Sequence, residues 1–200
     1  MDHLTLAATL IVLGYLLGAI PFGVVVSMAM GLPDPRTAGS KNVGFTNVLR
    51  VSGKQAGFLT LAGDMGKGWI MGAAGAYALQ EEWAVLLVAL APVLGHMWSP
   101  FLGFKGGKGV ATALGSVIGV APLIGLVLIG TWLGTVAIWR YSSGGALAAF
   151  GLFPLIAAVV RPSVAFVLFS VAVSSLIVAN HKGNIERLWK GAESKIGQRG

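Results

Sequence analysis

The chain has 200 residues, of which 56% are hydrophobic and only 10% charged, and its mean hydropathy is +0.82. Soluble domains carry about 25% charged residues and disordered chains pair low hydrophobicity with high charge, so both classes are excluded and the composition is that of a membrane protein. Fourteen Lys+Arg against seven Asp+Glu give a net charge of +7. These cations lie between apolar runs, which points to a membrane surface or an anionic substrate rather than nucleic acid, and zero cysteines exclude disulfides, thiolate metal sites and a Cys nucleophile.

A spanning helix needs roughly 20 apolar residues, and the uncharged stretches 3–33, 83–104, 109–139, 141–160 and 162–181 supply candidates. Met1-Asp2-His3 lacks the basic start of a secretory signal, so the first run reads as a retained helix. A sixth region, about 57–80, is interrupted only by Asp64 and Lys67, three apart on one helix face and able to neutralise each other. The 109–139 run is too long for one span, and Ala121-Pro122 offers a break.

Cation placement separates the two topologies that result. Six spans put Arg36, Lys41, Arg50, Lys54, Lys105, Lys108 and Arg161 on one side, against Arg140 and the five tail cations on the other, 7 against 6. Seven spans leave only Arg161 outside, 12 against 1, with Lys67 held within the membrane. The expected fold is therefore an all-α membrane protein of seven transmembrane helices, a single domain over 1–200, with the N-terminus outside and the C-terminus cytoplasmic. The helix from about 109 to 121 is short for a full span. The last twenty residues carry an apolar stripe at Ile185, Leu188, Trp189, Ala192 and Ile196, as in a helix lying along the interface.

Glycine supplies 30 residues. The pairs Gly14/Gly18, Gly68/Gly72, Gly115/Gly119 and Gly130/Gly134 read as close helix packing.

Three polar stretches remain, and the seven-span topology places all three on the cytoplasmic side, where they are expected to form one anion pocket. The first runs from Ala38-Gly39-Ser40-Lys41-Asn42 through Thr46, Asn47 and Arg50, a loop feeding a short helix. It reads as an anion site at a helix N-terminus or as an ordinary connector. The second is Gly95-His96-Met97-Trp98-Ser99-Pro100 followed by Phe101-Leu102-Gly103-Phe104-Lys105-Gly106-Gly107-Lys108-Gly109-Val110-Ala111-Thr112. Gly106, Gly107 and Gly109 open the backbone N–H groups to a phosphate, and Lys105 and Lys108 add charge. The spacing is neither a Walker A loop nor a dinucleotide fingerprint. The alternative is a flexible basic retention loop. The third, His181-Lys182-Gly183-Asn184 to Glu193, puts His181 and Asn184 three apart, on one face of a helix, or makes His181 an interfacial histidine. An H-x4-E dyad of His181 with Glu186 is disfavoured, because five residues turn the two to different faces. Arg140-Tyr141-Ser142-Ser143 reads equally as site lining or as an anchor. Three histidines without clustered carboxylates make a metal site improbable.

Together these motifs resemble the integral-membrane, acyl-phosphate-dependent glycerol-3-phosphate acyltransferases of bacteria, the PlsY family, over nearly the whole chain. The resemblance implies transfer of a fatty acyl group from acyl-phosphate to the sn-1 hydroxyl of glycerol-3-phosphate. The products would be lysophosphatidic acid and inorganic phosphate, made without a cofactor at the bacterial inner membrane by a protein expected to be a monomer. It implies that Ser40 and Arg50 are active-site residues, that Gly106, Gly107 and Gly109 with Lys105 and Lys108 hold glycerol-3-phosphate, that His181 and Asn184 belong to the site, and that Glu193 is structural. Asn42, Thr46 and Asn47 are expected to contact substrate. The sequence departs from the usual pattern at Lys41, Phe45, Asn180-His181-Lys182 and Gly144-Gly145.

His181 is the first candidate to deprotonate the glycerol hydroxyl, with the substrate phosphate as the alternative base. Direct attack is favoured over a Ser40 acyl-enzyme, since no base is placed in sequence to activate Ser40. A transporter of a phosphorylated solute is the competing function, although carrier sites tend to lie at the midplane in repeated broken helices. A non-catalytic scaffold leaves the glycine-lysine loop unexplained.

Overall fold

Pro21 has no amide hydrogen and disfavours helical backbone at Ile20, which is extended (φ −60°, ψ 117°). In the computed structural model, which describes residues 2–197, the first apolar run forms α1 (His3–Ala19) and α2 (Phe22–Ala29), bent by 46°. The short helix expected just after the first polar loop starts at Phe45 and is interrupted soon after Arg50, at Gly53. There φ of +88° and ψ of 179° are non-helical and suited to glycine, so α3 (Phe45–Ala78) is two helical segments joined at a kink. Next come α4 (Glu82–Met97), a single 3-10 turn at Pro100–Leu102, and α5 (Val110–Val120). The break read at Ala121-Pro122 is present: Ala121 is non-helical (φ −151°, ψ 77°) and Pro122 opens α6 (Pro122–Trp139). Three further helices are α7 (Ser142–Val160), α8 (Val164–Asn180) and α9 (Lys182–Trp189).

Among the described residues, three segments are each long and apolar enough to cross a membrane, Glu82–Leu102, Pro122–Trp139 and Ser142–Val160. Counting the bent pairs α1–α2 and α8–α9 as one span each raises this to five. α5, with 11 residues, extends only about 16 Å, and α3 carries the charged pair Asp64 and Lys67.

The interfacial helix expected over the last twenty residues is shorter than its apolar stripe implied. It ends at Trp189, where Gly191 at φ +64° turns the chain and the Ala192 amide donates to the Arg187 carbonyl at 2.8 Å. Ala192 and Ile196 lie beyond the helix, and Arg199, one of the tail cations, lies outside the described residues.

The chain divides into two compact units, Met1–Val120 and Ala121–Gly200. In the first, α3 packs chiefly on α5 and α1 on α4, and glycine is what lets these helices approach. A Cβ at Gly18 would strike the Pro92 backbone, one at Gly72 the Ser116 carbonyl, and one at Gly115 the Met65 carbonyl. The pairs read as packing sites are such sites in this unit.

The fourth pair is not. Gly130 and Gly134 have nothing within 4 Å of a built Cβ, because a small-residue spacing promotes close packing only where another helix is present to receive it. The contrast has a measurable consequence. Gly115→Ala is expected to cost about 1–3 kcal/mol through overpacking against backbone. Gly130→Ala is expected to be neutral or to stabilise by up to about 1 kcal/mol, through helix propensity alone. Thermal unfolding of the two variants in detergent compares them directly.

The second unit is centred on Phe150, Phe153, Phe166 and Phe169, with edge-on ring pairs 6.0 to 6.3 Å apart around Phe153. The Ser174 hydroxyl donates to the Phe150 carbonyl at 2.6 Å, tying α8 to α7.

Candidate active site

The predicted residues divide between the two units, and the first and third motifs are each organised by one polar side chain. In the first polar loop that side chain is Asn47, which is 2% exposed. Its Oδ1 accepts from the Ser40 amide at 2.8 Å, and its Nδ2 donates to the carbonyls of Pro35 (2.8 Å), Asn42 (2.9 Å) and Ala38 (3.2 Å). An amide has two hydrogens, so Asn47 is fully engaged within the protein. It holds the loop that presents Ser40, and glycine is needed at Gly39 because φ is +61° and a Cβ there would meet Asn47 Oδ1. The Asn42 side chain likewise turns inward, accepting from the Gly44 amide at 2.9 Å where α3 begins. Thr46 lies in the first turn of α3. Ser40 and Arg50 are exposed, and among the described residues the Ser40 hydroxyl and the Arg50 guanidinium have no partner.

The glycine-rich turn is built differently from the phosphate cradle that its sequence implied. The Gly106 amide donates to the Met97 carbonyl and the Gly107 amide to the His96 carbonyl, both at 3.0 Å. These two N–H groups therefore satisfy the last carbonyls of α4. The N–H groups left without a helical partner are those opening α5 after Gly109, at Val110, Ala111 and Thr112. Gly106 and Gly107 are glycine for a steric reason: a Cβ would strike the His96 carbonyl at one and His96 Nε2 at the other. Gly109 adopts φ +83° against Met97. Lys105 is exposed and Lys108 half-buried.

Beneath this turn lies a polar cluster whose members are spread along the sequence. Lys67 Nζ is 2.8 Å from Asp64 Oδ1, donates to the Ile20 carbonyl at 2.8 Å and lies 2.9 Å from His96 Nδ1. The neutralising Asp64–Lys67 pair expected from the i, i+3 spacing is present. His96 was not singled out by the sequence, since its partners are 29 residues or more away.

In the second unit the third motif closes on Glu193. Its Oε1 accepts from Ser143 Oγ at 2.7 Å and Asn184 Nδ2 at 2.6 Å, and its Oε2 accepts from Arg187 Nε at 2.7 Å. Ser143 of the Arg140–Ser143 turn is thus an anchor, as is Arg140, which donates to the Ile196 carbonyl at 2.8 Å. His181 and Asn184 are both buried, whereas Glu186 is exposed, which removes the H-x4-E dyad. His181 Nδ1 lies 2.8 Å from the Ile177 carbonyl. A carbonyl only accepts, so Nδ1 carries the hydrogen and Nε2 is the basic nitrogen.

Burial acts to raise the Glu193 pKa, but the hydrogen bonds from Ser143, Asn184 and Arg187 outweigh it and hold the carboxyl below its usual 4.5. A carboxyl depressed in the folded state contributes stability that is complete above its unfolded pKa and is lost as pH falls through the folded value. Acidification from about pH 5 to about pH 3 should therefore lower the unfolding midpoint more in the native protein than in Glu193→Gln. Taking the difference between the two cancels the contributions of Asp2 and Asp34, which are also depressed, Asp2 chiefly by Thr5 and Asp34 chiefly by Arg36.

The model of the family described as glycerol-3-phosphate acyltransferase matches residues 8–191. The glycerol-3-phosphate acyltransferase of Methylococcus capsulatus is 46% identical over 193 residues, covering 94% of this chain and 95% of its own. That of Bordetella avium is 47% identical, covering 96% and 94%. The crystal structure of PlsY (YgiH), an integral membrane glycerol 3-phosphate acyltransferase, in its glycerol 3-phosphate form superposes with a TM-score of 0.91 at 40% identity, covering 96% of both chains. With the family's description matching nearly the full length, and relatives and a solved structure agreeing end to end, this chain belongs to the glycerol-3-phosphate acyltransferase family of the PlsY type.

Proposed function

We propose that this protein transfers a fatty acyl group from acyl-phosphate to the sn-1 hydroxyl of glycerol-3-phosphate, releasing lysophosphatidic acid and inorganic phosphate. The observation that carries the reading is the end-to-end likeness, at 40% identity, to a protein whose structure was determined in a glycerol 3-phosphate form and a lysophosphatidic acid form. In the transfer the hydroxyl oxygen bonds to the acyl carbon, the anhydride C–O bond breaks, and the leaving group departs as phosphate. Such a leaving group calls for cations and N–H donors more than for a strong acid.

The roles follow from the local chemistry of each group. Arg50, Lys105 and Lys108 screen phosphate charge, with the amides opening α5 as additional donors. Ser40 orients the attacking hydroxyl, and Asn47 and Asn42 hold its loop rather than touching substrate. His181 Nε2 takes the hydroxyl proton, its Nδ1–H fixed on the Ile177 carbonyl. Asn184 is steadied by Glu193 and stabilises the carbonyl oxygen as it gains charge. Attack is direct, without an acyl-enzyme on Ser40. The protein is placed in the bacterial inner membrane as seven spans, with its N-terminus outside and its three polar motifs facing the cytoplasm. The 12-to-1 cation imbalance supports this orientation.

Purified full-length protein, supplied with acyl-phosphate and glycerol-3-phosphate in detergent, should release lysophosphatidic acid and inorganic phosphate in equal amounts. No product, or product only when acyl-CoA replaces acyl-phosphate, would overturn the assignment.

A further inference from the structure

His96 lies in the last turn of α4, its side chain 5% exposed and its Nδ1 2.9 Å from Lys67 Nζ. Asp64 and Lys67 are buried almost completely. A carboxylate in that position requires a balancing charge, and the ammonium 2.8 Å away supplies it. An ammonium has donors and no acceptor. Asp64 Oδ1, which could instead take a hydrogen from His96 Nδ1, lies 3.4 Å away, farther than the ammonium at 2.9 Å, so Nδ1 accepts from Lys67 and the ring hydrogen lies on Nε2.

That Nε2 points at the glycine-rich turn. A Cβ on Gly107 would collide with it and would lie 2.9 Å from Cε1 and 3.1 Å from Cδ2. The turn is folded onto the imidazole by the Gly106 and Gly107 amides, and a side chain at position 107 would take the space beside Nε2. Among the described residues Nε2 makes no hydrogen bond. A nine-tenths buried ring with a fixed donor and no partner, aimed at a turn flanked by two lysines and a helix start, suits an anionic oxygen.

We propose that His96 Nε2–H donates a hydrogen bond to a phosphate oxygen of a substrate seated at the Gly106–Gly107–Lys108 turn, and that Lys67, balanced by Asp64, is the positioning residue that holds the ring in this donor form. The proposal deepens the acyl-transfer reading and rests on it for the identity of the substrate.

The test has a spectroscopic and a kinetic arm. With the full-length protein labelled at histidine nitrogens, the native His96 signal should be that of the Nε2–H tautomer. It should shift on titration with inorganic phosphate or glycerol-3-phosphate. In Asp64→Leu/Lys67→Met the tautomers should mix. In the kinetic arm, His96→Asn, which has no donor at the Nε2 position, should raise KM for one phosphorylated substrate by about 10- to 100-fold with kcat changed far less. His96→Gln, whose amide reaches that position, should restore most of the loss. Varying acyl-phosphate and glycerol-3-phosphate separately identifies which phosphate is held. An Nδ1–H tautomer, no response to either phosphate compound, or unchanged KM values in His96→Asn would each overturn the proposal. A native protein inactive in the acyl-transfer assay would instead refute the parent reading, and the phosphate titration would still decide this one.

Discussion

His181→Ala is expected to lower kcat by about 10²–10⁴-fold, the usual contribution of a positioned general base, with the KM values for both substrates nearly unchanged. The expectation rests on the Ile177 carbonyl, which holds the Nδ1 hydrogen at 2.8 Å and so leaves Nε2 to accept the hydroxyl proton. His181 is 2% exposed at the junction of α8 and α9, and the variant's unfolding midpoint must be measured beside its rate, since a cavity there also carries a cost. If the folded variant keeps substantial activity, the substrate phosphate is the base and His181 only shapes the site.

Lys67→Met should be the most destabilising of the substitutions considered. It leaves the Asp64 carboxylate buried without its cation and removes one of two donors to the Ile20 carbonyl, the other being the Phe22 amide. Removing one partner of a buried pair costs about 3–5 kcal/mol, whereas replacing both by apolar groups is often close to neutral. Asp64→Leu/Lys67→Met should therefore unfold at a higher temperature than Lys67→Met in the same detergent. A double variant no more stable than the single one would show that the two side chains do not act as a pair.

Local signals were legible in the sequence, and long-range ones were not. The Asp64–Lys67 pair follows from two charges three residues apart in an apolar helix, and the break before Pro122 follows from proline chemistry. Pro21 carried the same information, but the absence of charge over 3–33 masked it. The end of α9 at Trp189 was hidden by an apolar periodicity that continues to Ile196 after Gly191 has already turned the chain. Small-residue spacing could not distinguish Gly115, pressed against Met65, from Gly130, which faces open space, because the spacing does not say whether a partner helix exists.

The same limit shaped the reading of the site. Residue type and order placed Ser40, Arg50, Lys105, Lys108, His181 and Asn184 in polar motifs, and the third motif was rightly tied to a structural Glu193. That Asn47 is consumed as a loop organiser depends on carbonyls 5 to 12 residues away. That the Gly106 and Gly107 amides are taken by α4 depends on how the turn folds back, which no spacing rule states.

The Lys67 ammonium touches α3 through Asp64, the bend after α1 through the Ile20 carbonyl, and the end of α4 through His96. A designer wishing to graft the glycine turn onto another scaffold could not transplant 103–112 alone. The smallest transferable piece is the turn together with stretches of three helices wired to one nitrogen atom.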